Sequence, residues 1–260
     1  MLNHENYFAP EMMAKYMSTS QFKGFEACEY AALAELRGET LKDKEAFKEG
    51  RYFEHCITGN EEHFMMANPD MVSSRGATKG DLKSNFKRVV GSVEAFKRQH
   101  MFMEVLEKCA KQVIVTGVIA DVPFKGMVDF LDMDTFCGYD TKCMRDFKKV
   151  WSDTEKMSVS WYFAYGYHYQ AAIYGELIRQ TYGEAGRQHI FAVTKEETPD
   201  VAALYFGNEI LDNALEIIKE FAPRYDKVKR GLTEPERCEK CTVCRGTKVM
   251  TDFEMVGDFE

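Results

Sequence analysis

The sequence predicts an α/β fold in which a mixed β-sheet is flanked by helices, and three observations support this. In the N-terminal part, apolar residues recur at intervals of three and four, as on amphipathic helices. From Gln112 onward, the stretch QVIVTGVIADVPFKGMVDFLDMDTFCGYDTKCM is rich in Val, Ile, Phe and Tyr with short polar breaks, which is typical of consecutive strands. Helical periodicity then returns before two further short strands. A meander followed by a crossover helix and more strand indicates a mixed sheet.

The chain has 260 residues, of which 45% are hydrophobic and 13% aromatic, enough for one large buried core. We expect one domain over residues 1–235 and a cysteine-containing tail, 236–260, packed on the same domain. The first residues lack the basic and apolar regions of a signal peptide, and no run of about 18 apolar residues occurs. These features predict a cytoplasmic protein that does not enter the membrane.

The helical part begins with a predicted helix over 18–37, which opens with a Ser and a Thr that can cap it. A second helix is predicted over 43–57. Residues 60–80 are polar, with one Pro and two Gly, and are predicted to form a surface excursion. Residues 82–111 are predicted to form one or two polar helices.

Three strands are predicted to follow, over 112–119, 123–131 and 136–143. A helix dense in Tyr, Trp and Phe is predicted over 158–182. Two short strands, over 188–194 and 201–206, and a final helix over 208–229 complete the prediction. We find no internal repeat.

The formal net charge of −8 does not favour a nucleic-acid partner, because binding to phosphates requires a basic surface. A groove can nevertheless be locally positive in an acidic protein. Basic residues do cluster, although a solvated helix face is the ordinary explanation. The clusters are Lys83, Lys87 and Arg88; Lys97 and Arg98; and Lys142, Arg145, Lys148 and Lys149. Charge therefore neither supports nor excludes DNA binding.

The triplet Asp-x-Lys occurs three times, at 81–83, 140–142 and 146–148, and by itself it is a weak signal. The middle copy ends a predicted strand, and the preceding strand carries Asp129 within the apolar stretch GMVDFL. A carboxylate among buried positions needs a partner or a metal ion. We therefore single out Asp129, Asp140 and Lys142.

A four-residue turn over 132–135 would place Leu131 opposite Phe136 and put all three side chains on one face of the sheet. Asp129 and Asp140 would then be diagonal neighbours, with their Cα atoms about 7–8 Å apart. Such a pair can hold Mg²⁺ or Mn²⁺, to which the carbonyl of Thr141 can add an oxygen ligand. Lys142 can orient a water molecule and offset negative charge. This set suits phosphodiester hydrolysis.

The sequence resembles the PD-(D/E)xK nuclease superfamily, with its restriction-endonuclease-like core. Within that superfamily it is most similar to the phage and prophage exonucleases related to RecE (exonuclease VIII). The resemblance rests on motifs that follow one another over residues 18–250. They are EGRYFEHC, FKGMVDF, YDTKC, YHYQAAIYGELI and TKEETPD.

This resemblance implies that Asp129 and Asp140 are metal ligands and that Lys142 is the catalytic lysine. In the helix motif, the family's spacing of four residues after Gly50 points to Glu54 as a further ligand, although His55 is the alternative. Two further residues of the family pattern would border the site, and a third would contact phosphate. These are Gln170 and Tyr174, one helical turn apart, and Lys195.

The tail contains Cys238-x-x-Cys241-x-x-Cys244, which indicates a soft-metal site that needs a fourth ligand. Several RecB-like nucleases pair an early cysteine with a C-terminal cluster around an iron–sulfur centre, which makes Cys28 the candidate fourth ligand. A [4Fe–4S] cluster, Zn²⁺ and free thiols all remain open. The remaining cysteines are expected to be ordinary core or surface residues: Cys56, Cys109, Cys137 and Cys143.

The resemblance further implies an exonuclease that degrades one strand of linear duplex DNA from 5′ to 3′. It implies a homo-oligomeric ring threaded by DNA, and a single-strand annealing protein as partner in recombination. One alternative is an iron–sulfur nuclease that acts on single-stranded or branched DNA ends. Another is a DNA-binding protein whose fold is stabilised by the metal and that does not cut DNA.

Overall fold

The computed structural model describes residues 2–39, 44–152 and 156–251. The α-helices are α1 (Pro10–Lys15), α2 (Thr19–Ala27), α3 (Glu29–Leu36), α4 (Lys44–Thr58), α5 (Glu61–Ala67), α6 (Ser84–Lys97), α7 (His100–Lys108), α8 (Trp161–Ala164), α9 (Tyr167–Tyr182), α10 (Asn208–Lys229) and α11 (Thr242–Gly246). The strands are β1 (Met17–Ser18), β2 (Ala110–Ile119), β3 (Val122–Leu131), β4 (Gly138–Met144), β5 (Val150–Ser152), β6 (Met157–Val159), β7 (Gln188–Thr194) and β8 (Val201–Tyr205). None of the described helices is long and apolar enough to span a membrane.

The main sheet has the order β1-β3-β4-β7-β8, and β2 pairs with the other edge of β3. β1 is parallel to β3 and β4 is parallel to β7, while β2–β3, β3–β4 and β7–β8 are antiparallel. The parallel step from β4 to β7 is made by a crossover that contains α9. The predicted mixed sheet flanked by helices is confirmed.

Helices cover both faces of this sheet. On one face, α2, α3, α9 and α10 pack their apolar residues against β2 and β3. On the other face, α4, α6 and α7 pack against Phe130, Phe191 and Val193 of the strands. The sheet is therefore the middle of three layers, and its strands carry side chains into a dry interior on both sides.

The single helix predicted over 18–37 is wrong, because Cys28 interrupts it. Cys28 has an extended backbone, with φ −170° and ψ 112°, so the chain changes direction between α2 and α3. Its sulfur accepts the backbone N–H of Ala31 at 3.5 Å and thereby acts as the N-cap of α3.

The helix predicted over 158–182 is also divided. Gly166 adopts a left-handed conformation, with φ 63°, which ends one helical stretch before α9 begins. The first residues of the predicted helix belong instead to β6, which pairs with β5 in a small separate hairpin. This hairpin and the short elements α1 and β1 were not predicted from the sequence.

Residues 60–80 are more ordered than the surface excursion predicted for them. They contain α5 and two short 3₁₀ helices, Pro69–Met71 and Gly76–Thr78. The reason is that Phe64 and Met71 are buried, with 5% and 0% of their surface exposed, and anchor the segment in the core beside α4. The following 82–111 segment forms two helices, and β2 begins at Ala110.

The turn between β3 and β4 is longer than the four residues expected. Leu131 lies opposite Gly138 and Phe130 opposite Tyr139, so the connection spans 132–137. Asp132 Oδ1 accepts the N–H groups of Asp134 and Thr135 at 2.9 and 3.3 Å, which stabilises the wider loop. The correction shifts the register by two residues, an even number, and therefore leaves each side chain on its expected face.

Candidate active site and cysteine cluster

The candidate active site lies where the sheet opens between β3 and β4. β2 pairs along almost the whole of one edge of β3. The opposite edge pairs with β1 near the start of β3 and with β4 only at its last two residues. No described strand pairs with the edge between these contacts, and Tyr174 Oη donates to the carbonyl of Met127 there at 3.1 Å. The opening lets side chains from two strands meet at one place.

Asp129 and Asp140 lie on either side of this opening. Continuing the register of β3 and β4 places the two residues directly opposite each other rather than on the diagonal. The backbone N–H of Thr141 donates to Asp129 Oδ2 at 3.1 Å. The N–H and C=O of one strand residue point to the same side, so the carbonyl of Thr141 also faces the opening.

Both carboxylate oxygens of Asp140 are contacted by other site residues. Gln170 Nε2 donates to Asp140 Oδ1 at 2.6 Å. The ammonium of Lys142 forms an ion pair with Asp140 Oδ2, although no well-aligned hydrogen bond to this buried oxygen forms within the described part of the chain. Lys142 Nζ also lies 5.3 Å from the centre of the Tyr167 ring. Asp140 and Lys142 therefore form a fixed pair on β4.

The charges in the site favour a bound cation. Burial raises the pKa of Asp129 well above its usual range, and the charges of Asp140 and Glu54 raise it further. Burial acts to lower the pKa of Lys142, but Asp140 and Asp129 outweigh it and raise that pKa. One ammonium thus faces several carboxylates that repel one another.

Glu54 reaches this site from α4, whereas His55 does not. The charge of Glu54 acts on both Asp129 and Tyr174. Gln112 Nε2 donates to Glu54 Oε1 at 3.1 Å. His55 instead stacks on Phe64, with ring centres 4.6 Å apart, and burial lowers its pKa. The placement favours Glu54 over His55 as the ligand on this helix.

The glycine at position 126, three residues before Asp129 on β3, is required by the packing of Tyr174. A Cβ atom at this position would lie 2.8 Å from the ring of Tyr174. Tyr174 therefore packs directly on the backbone of β3 while its hydroxyl holds the edge carbonyl of Met127. Gln170 and Tyr174 both project from α9 toward the opening, as the family motif implies.

Lys195 is placed differently from the other candidates. Its ammonium forms an ion pair with Glu49, whose other oxygen accepts Asn85 Nδ2 at 2.9 Å. In this structure Lys195 is therefore paired with a carboxylate of α4, and its proposed contact with phosphate stays a prediction. Tyr167, which the sequence analysis missed, contacts Lys142 instead. Its position three residues before Gln170 on the same helix face is the one sequence signal that could have identified it.

The structure brings the four predicted cysteines together as a second cluster. The sulfurs of Cys28, Cys238, Cys241 and Cys244 all lie within 4.8 Å of one another. Within the described ranges, no other group of three or more ligand residues is as close. The separations are 3.6 Å for Cys28–Cys244, 3.9 Å for Cys28–Cys241 and 4.0 Å for Cys238–Cys244. Four sulfurs at about 2.3 Å from one tetrahedral ion would lie about 3.8 Å apart.

The protonation of these thiols also suits a metal site. Burial acts to raise the pKa of Cys238, but the backbone N–H groups of Lys240 and Cys241 outweigh it and lower that pKa to about 6. Burial and the neighbouring Cys241 raise the pKa of Cys244 to about 12. Cys238 therefore loses its proton readily, whereas deprotonation of the buried Cys244 would require a bound cation.

The tail reaches Cys28 through contacts with α3. Glu236 accepts the N–H of Tyr30 at its carbonyl, at 3.0 Å, and donates its own N–H to Glu29 Oε2 at 2.8 Å. The guanidinium of Arg237 lies 4.2 Å from the centre of the Tyr30 ring. The described part of the tail, up to residue 251, is thus attached to the first helices, and residues 252–260 lie outside the described residues.

Comparison with known proteins agrees with this geometry. A crystal structure from Eubacterium rectale, described as a "putative exonuclease", is similar over 98% of this chain and 96% of that chain. The two share 29% sequence identity and superpose with a TM-score of 0.87. No curated protein matches the chain.

A family model for a PDDEXK-like domain of unknown function (DUF3799) matches residues 18–247. The match covers most of the chain and includes Asp129, Asp140 and Lys142 as well as all four clustered cysteines. The PD-(D/E)xK resemblance seen in the sequence is confirmed at the level of the superfamily, and both comparisons fit a nuclease. The chain belongs to this family of PDDEXK-like domains.

Proposed function

We propose that this protein is a metal-dependent exodeoxyribonuclease that degrades one strand of linear double-stranded DNA, from 5′ to 3′. The observation that carries the proposal is the meeting of Asp129, Asp140 and Lys142 at the opening of the sheet. The polarity, and a role in phage-type recombination beside a single-strand annealing protein, rest on the RecE-like resemblance.

Asp129, Asp140, Glu54 and the Thr141 carbonyl are the oxygen ligands that we assign to Mg²⁺ or Mn²⁺, in a two-metal arrangement. The fit is supported by the buried Asp140 Oδ2, which lacks a well-aligned hydrogen bond, and by the mutual repulsion of the carboxylates. Hard carboxylate and carbonyl oxygens are the ligands that these ions prefer. When bound, the ions supply Lewis-acid activation of the phosphate and the water.

The remaining residues position these groups. Lys142 pairs with Asp140 Oδ2 in this structure and would offset negative charge that develops on the phosphate. Gln170 holds the other oxygen of Asp140 and thereby fixes its orientation. Tyr174 holds the open edge of β3 at Met127. A homo-oligomeric ring, also implied by the resemblance, would confine positive potential to a central channel in a chain of net charge −8.

The test is digestion of a linear duplex in Mg²⁺ by the wild type and by Asp140→Ala and Lys142→Ala. Both variants should lose activity by about a hundredfold or more. The chain offers a matched control in a second Asp-x-Lys triplet, so Asp81→Ala and Lys83→Ala should digest DNA as the wild type does. Full activity of the site variants, or of metal-free protein, would refute the assignment. End-labelled strands give the polarity.

The cysteine cluster favours one alternative function, an iron–sulfur nuclease that acts on single-stranded or branched DNA ends. Linear duplex and flap substrates with labelled ends, compared at equal concentration, separate it from the main proposal. A metal-stapled DNA-binding protein without turnover would leave both substrates intact.

We further propose that the four cysteines bind a structural soft-metal centre. Zn²⁺ fits the sulfur separations as they stand, whereas a [4Fe–4S] cluster would require the sulfurs to spread. Metal analysis of anaerobically purified protein decides between them, because one zinc or about four irons would accompany each chain. Neither metal at a stoichiometric amount would show that the thiols are free.

A further inference from the structure

The β5–β6 hairpin and α8 expose aromatic residues beside the candidate active site. Trp151 is 60% exposed on β5. Phe163 on α8 and Tyr165 at its end are 36% and 45% exposed. The hairpin packs against α8, so the three residues lie on adjoining elements, and we call them together the aromatic surface. Large exposed aromatic side chains in a group mark an interaction site.

A continuous path of side chains joins this surface to Lys142. The ring of Tyr165 lies 6.1 Å from that of Tyr167, and Tyr167 faces the Lys142 ammonium. Tyr167 also contacts Trp161, which stacks on Phe147 just before the hairpin begins. The aromatic surface is therefore held by the same residues that border the catalytic lysine.

Basic residues surround the aromatic surface. Lys148 and Lys149 are exposed at the entry to the hairpin, and Lys156 is exposed just before β6. Arg145 interacts electrostatically with Tyr165, and Lys23 Nζ donates to the carbonyl of Tyr165 at 3.2 Å. Asp146 pairs with Arg145. The positive charge is thus concentrated at the entry to the hairpin.

We propose that this surface binds single-stranded DNA, by stacking bases of the unpaired strand on its aromatic residues next to the active site. The inference rests on the proposed function and specifies how the enzyme engages the strand. Aromatic faces accept any base, and lysines that follow the backbone add affinity without sequence preference. An exonuclease that cuts without regard to sequence needs a contact of this kind.

The chain contains two tryptophans, which makes the stacking directly measurable. Trp151 is exposed, whereas Trp161 is buried with 5% of its surface exposed. The experiment titrates full-length Asp140→Asn protein with an oligo(dT) strand in Ca²⁺, while the intrinsic fluorescence is followed. Stacking on Trp151 should quench the exposed part of the emission. The same titration with Trp151→Phe should show little quenching, because Trp161 remains covered.

Affinity provides the second measurement. Trp151→Ala should weaken binding of the oligo(dT) strand by about fivefold to a hundredfold. Lys148→Ala and Lys149→Ala should each reduce the slope of log affinity against log salt by about 0.7. Phe221→Ala is the control, because Phe221 is 38% exposed on α10 and lies outside the aromatic surface. It should bind as the parent does.

Unchanged affinity and quenching in the Trp151 variants would overturn the inference. A change in oligomeric state on Trp151→Ala, measured by sedimentation with DNA affinity unchanged, would show an interface between copies of the chain and would overturn it as well. Binding is measured in protein that does not cut DNA. Failure of the nuclease assay and failure of stacking are therefore separate results.

Discussion

Gln170 on α9 and Asp140 on β4 are joined by a hydrogen bond of 2.6 Å from the amide Nε2 to the carboxylate Oδ1. This contact ties the crossover helix to the strand that carries two of the proposed catalytic residues. A side chain that orients a ligand in this way affects metal affinity as well as rate.

Gln170→Ala should therefore lower activity by about tenfold to a hundredfold and shift the Mg²⁺ dependence to higher concentration. Initial rates over a range of Mg²⁺ measure both effects. Gln180→Ala on the same helix is the matched control, because Gln180 bonds to the carbonyl of Val118 away from the site. An equal loss in both variants would point to damage to α9 rather than to a positioning role.

Glu54→Gln and His55→Gln should separate the two candidates on α4. Removing the charge of Glu54 should reduce activity by about tenfold or more and weaken Mn²⁺ binding, because a proposed oxygen ligand is lost. His55→Gln should leave Mn²⁺ affinity unchanged and act, if at all, on stability through its contact with Phe64. Calorimetric titration with Mn²⁺ checks the contrast, and the reverse result would assign the helix motif to His55.

The metal-free protein should become more stable on Asp129→Asn. The pKa of Asp129 is raised in the folded state, so the native protein holds a proton that the unfolded chain has released above about pH 4. The resulting loss of stability develops as pH rises from there through the folded pKa. In EDTA at pH 8 the variant should unfold about 2–4 °C higher, for a gain of about 1 kcal/mol. The difference should shrink toward pH 4.

The sign of that difference is the critical point. A lower melting temperature of Asp129→Asn at pH 8 in EDTA would mean that the carboxylate stabilises the fold without metal. Calorimetric or circular dichroism melts at several pH values provide the measurement. The activity of the same variant should fall, because a carboxylate that catalysis requires can at the same time lower the stability of the folded protein.

Cys28→Ser and Cys244→Ser should abolish the proposed metal centre and lower the melting temperature by several degrees or more. Cys137→Ser removes a half-buried thiol outside the cluster and should keep the metal content of the wild type. Metal analysis and thermal melts of the three variants test this. Retention of a full metal complement in Cys244→Ser would remove that residue from the ligand set.

The sequence predicted the mixed sheet and the final helix well, because β3 and β7 are mostly buried and α10 buries Ala214, Ile218 and Ala222 at helical spacing. The prediction of helices failed at two positions where a single residue changes the direction of the backbone. Cys28 bends the chain between two helices through its own sulfur cap, and Gly166 uses a left-handed conformation. Neither effect produces a change in hydrophobic period.

The candidate site was predictable in composition but not in detail. The alternation of side chains along β3 and β4 put Asp129, Asp140 and Lys142 on one face, and this survived the two-residue error in register. The position of Tyr167 beneath Lys142, and the pairing of Lys195 with Glu49, depend on how helices sit against the sheet. Such packing follows from long-range contacts that a single sequence does not reveal.

The cysteine cluster has a topological consequence for folding. Cys28 and Cys244 are 216 positions apart, so a metal ion between them would close most of the chain into one loop. By the loop-closure relation for a covalent cross-link of that length, the entropy removed from the unfolded chain corresponds to about 5 kcal/mol. The ligand set also becomes complete only after the last helices have been synthesised. Metal binding would therefore be a late step in the maturation of the protein. Cells short of the metal would accumulate folded chains that lack the cross-link between Cys28 and the tail.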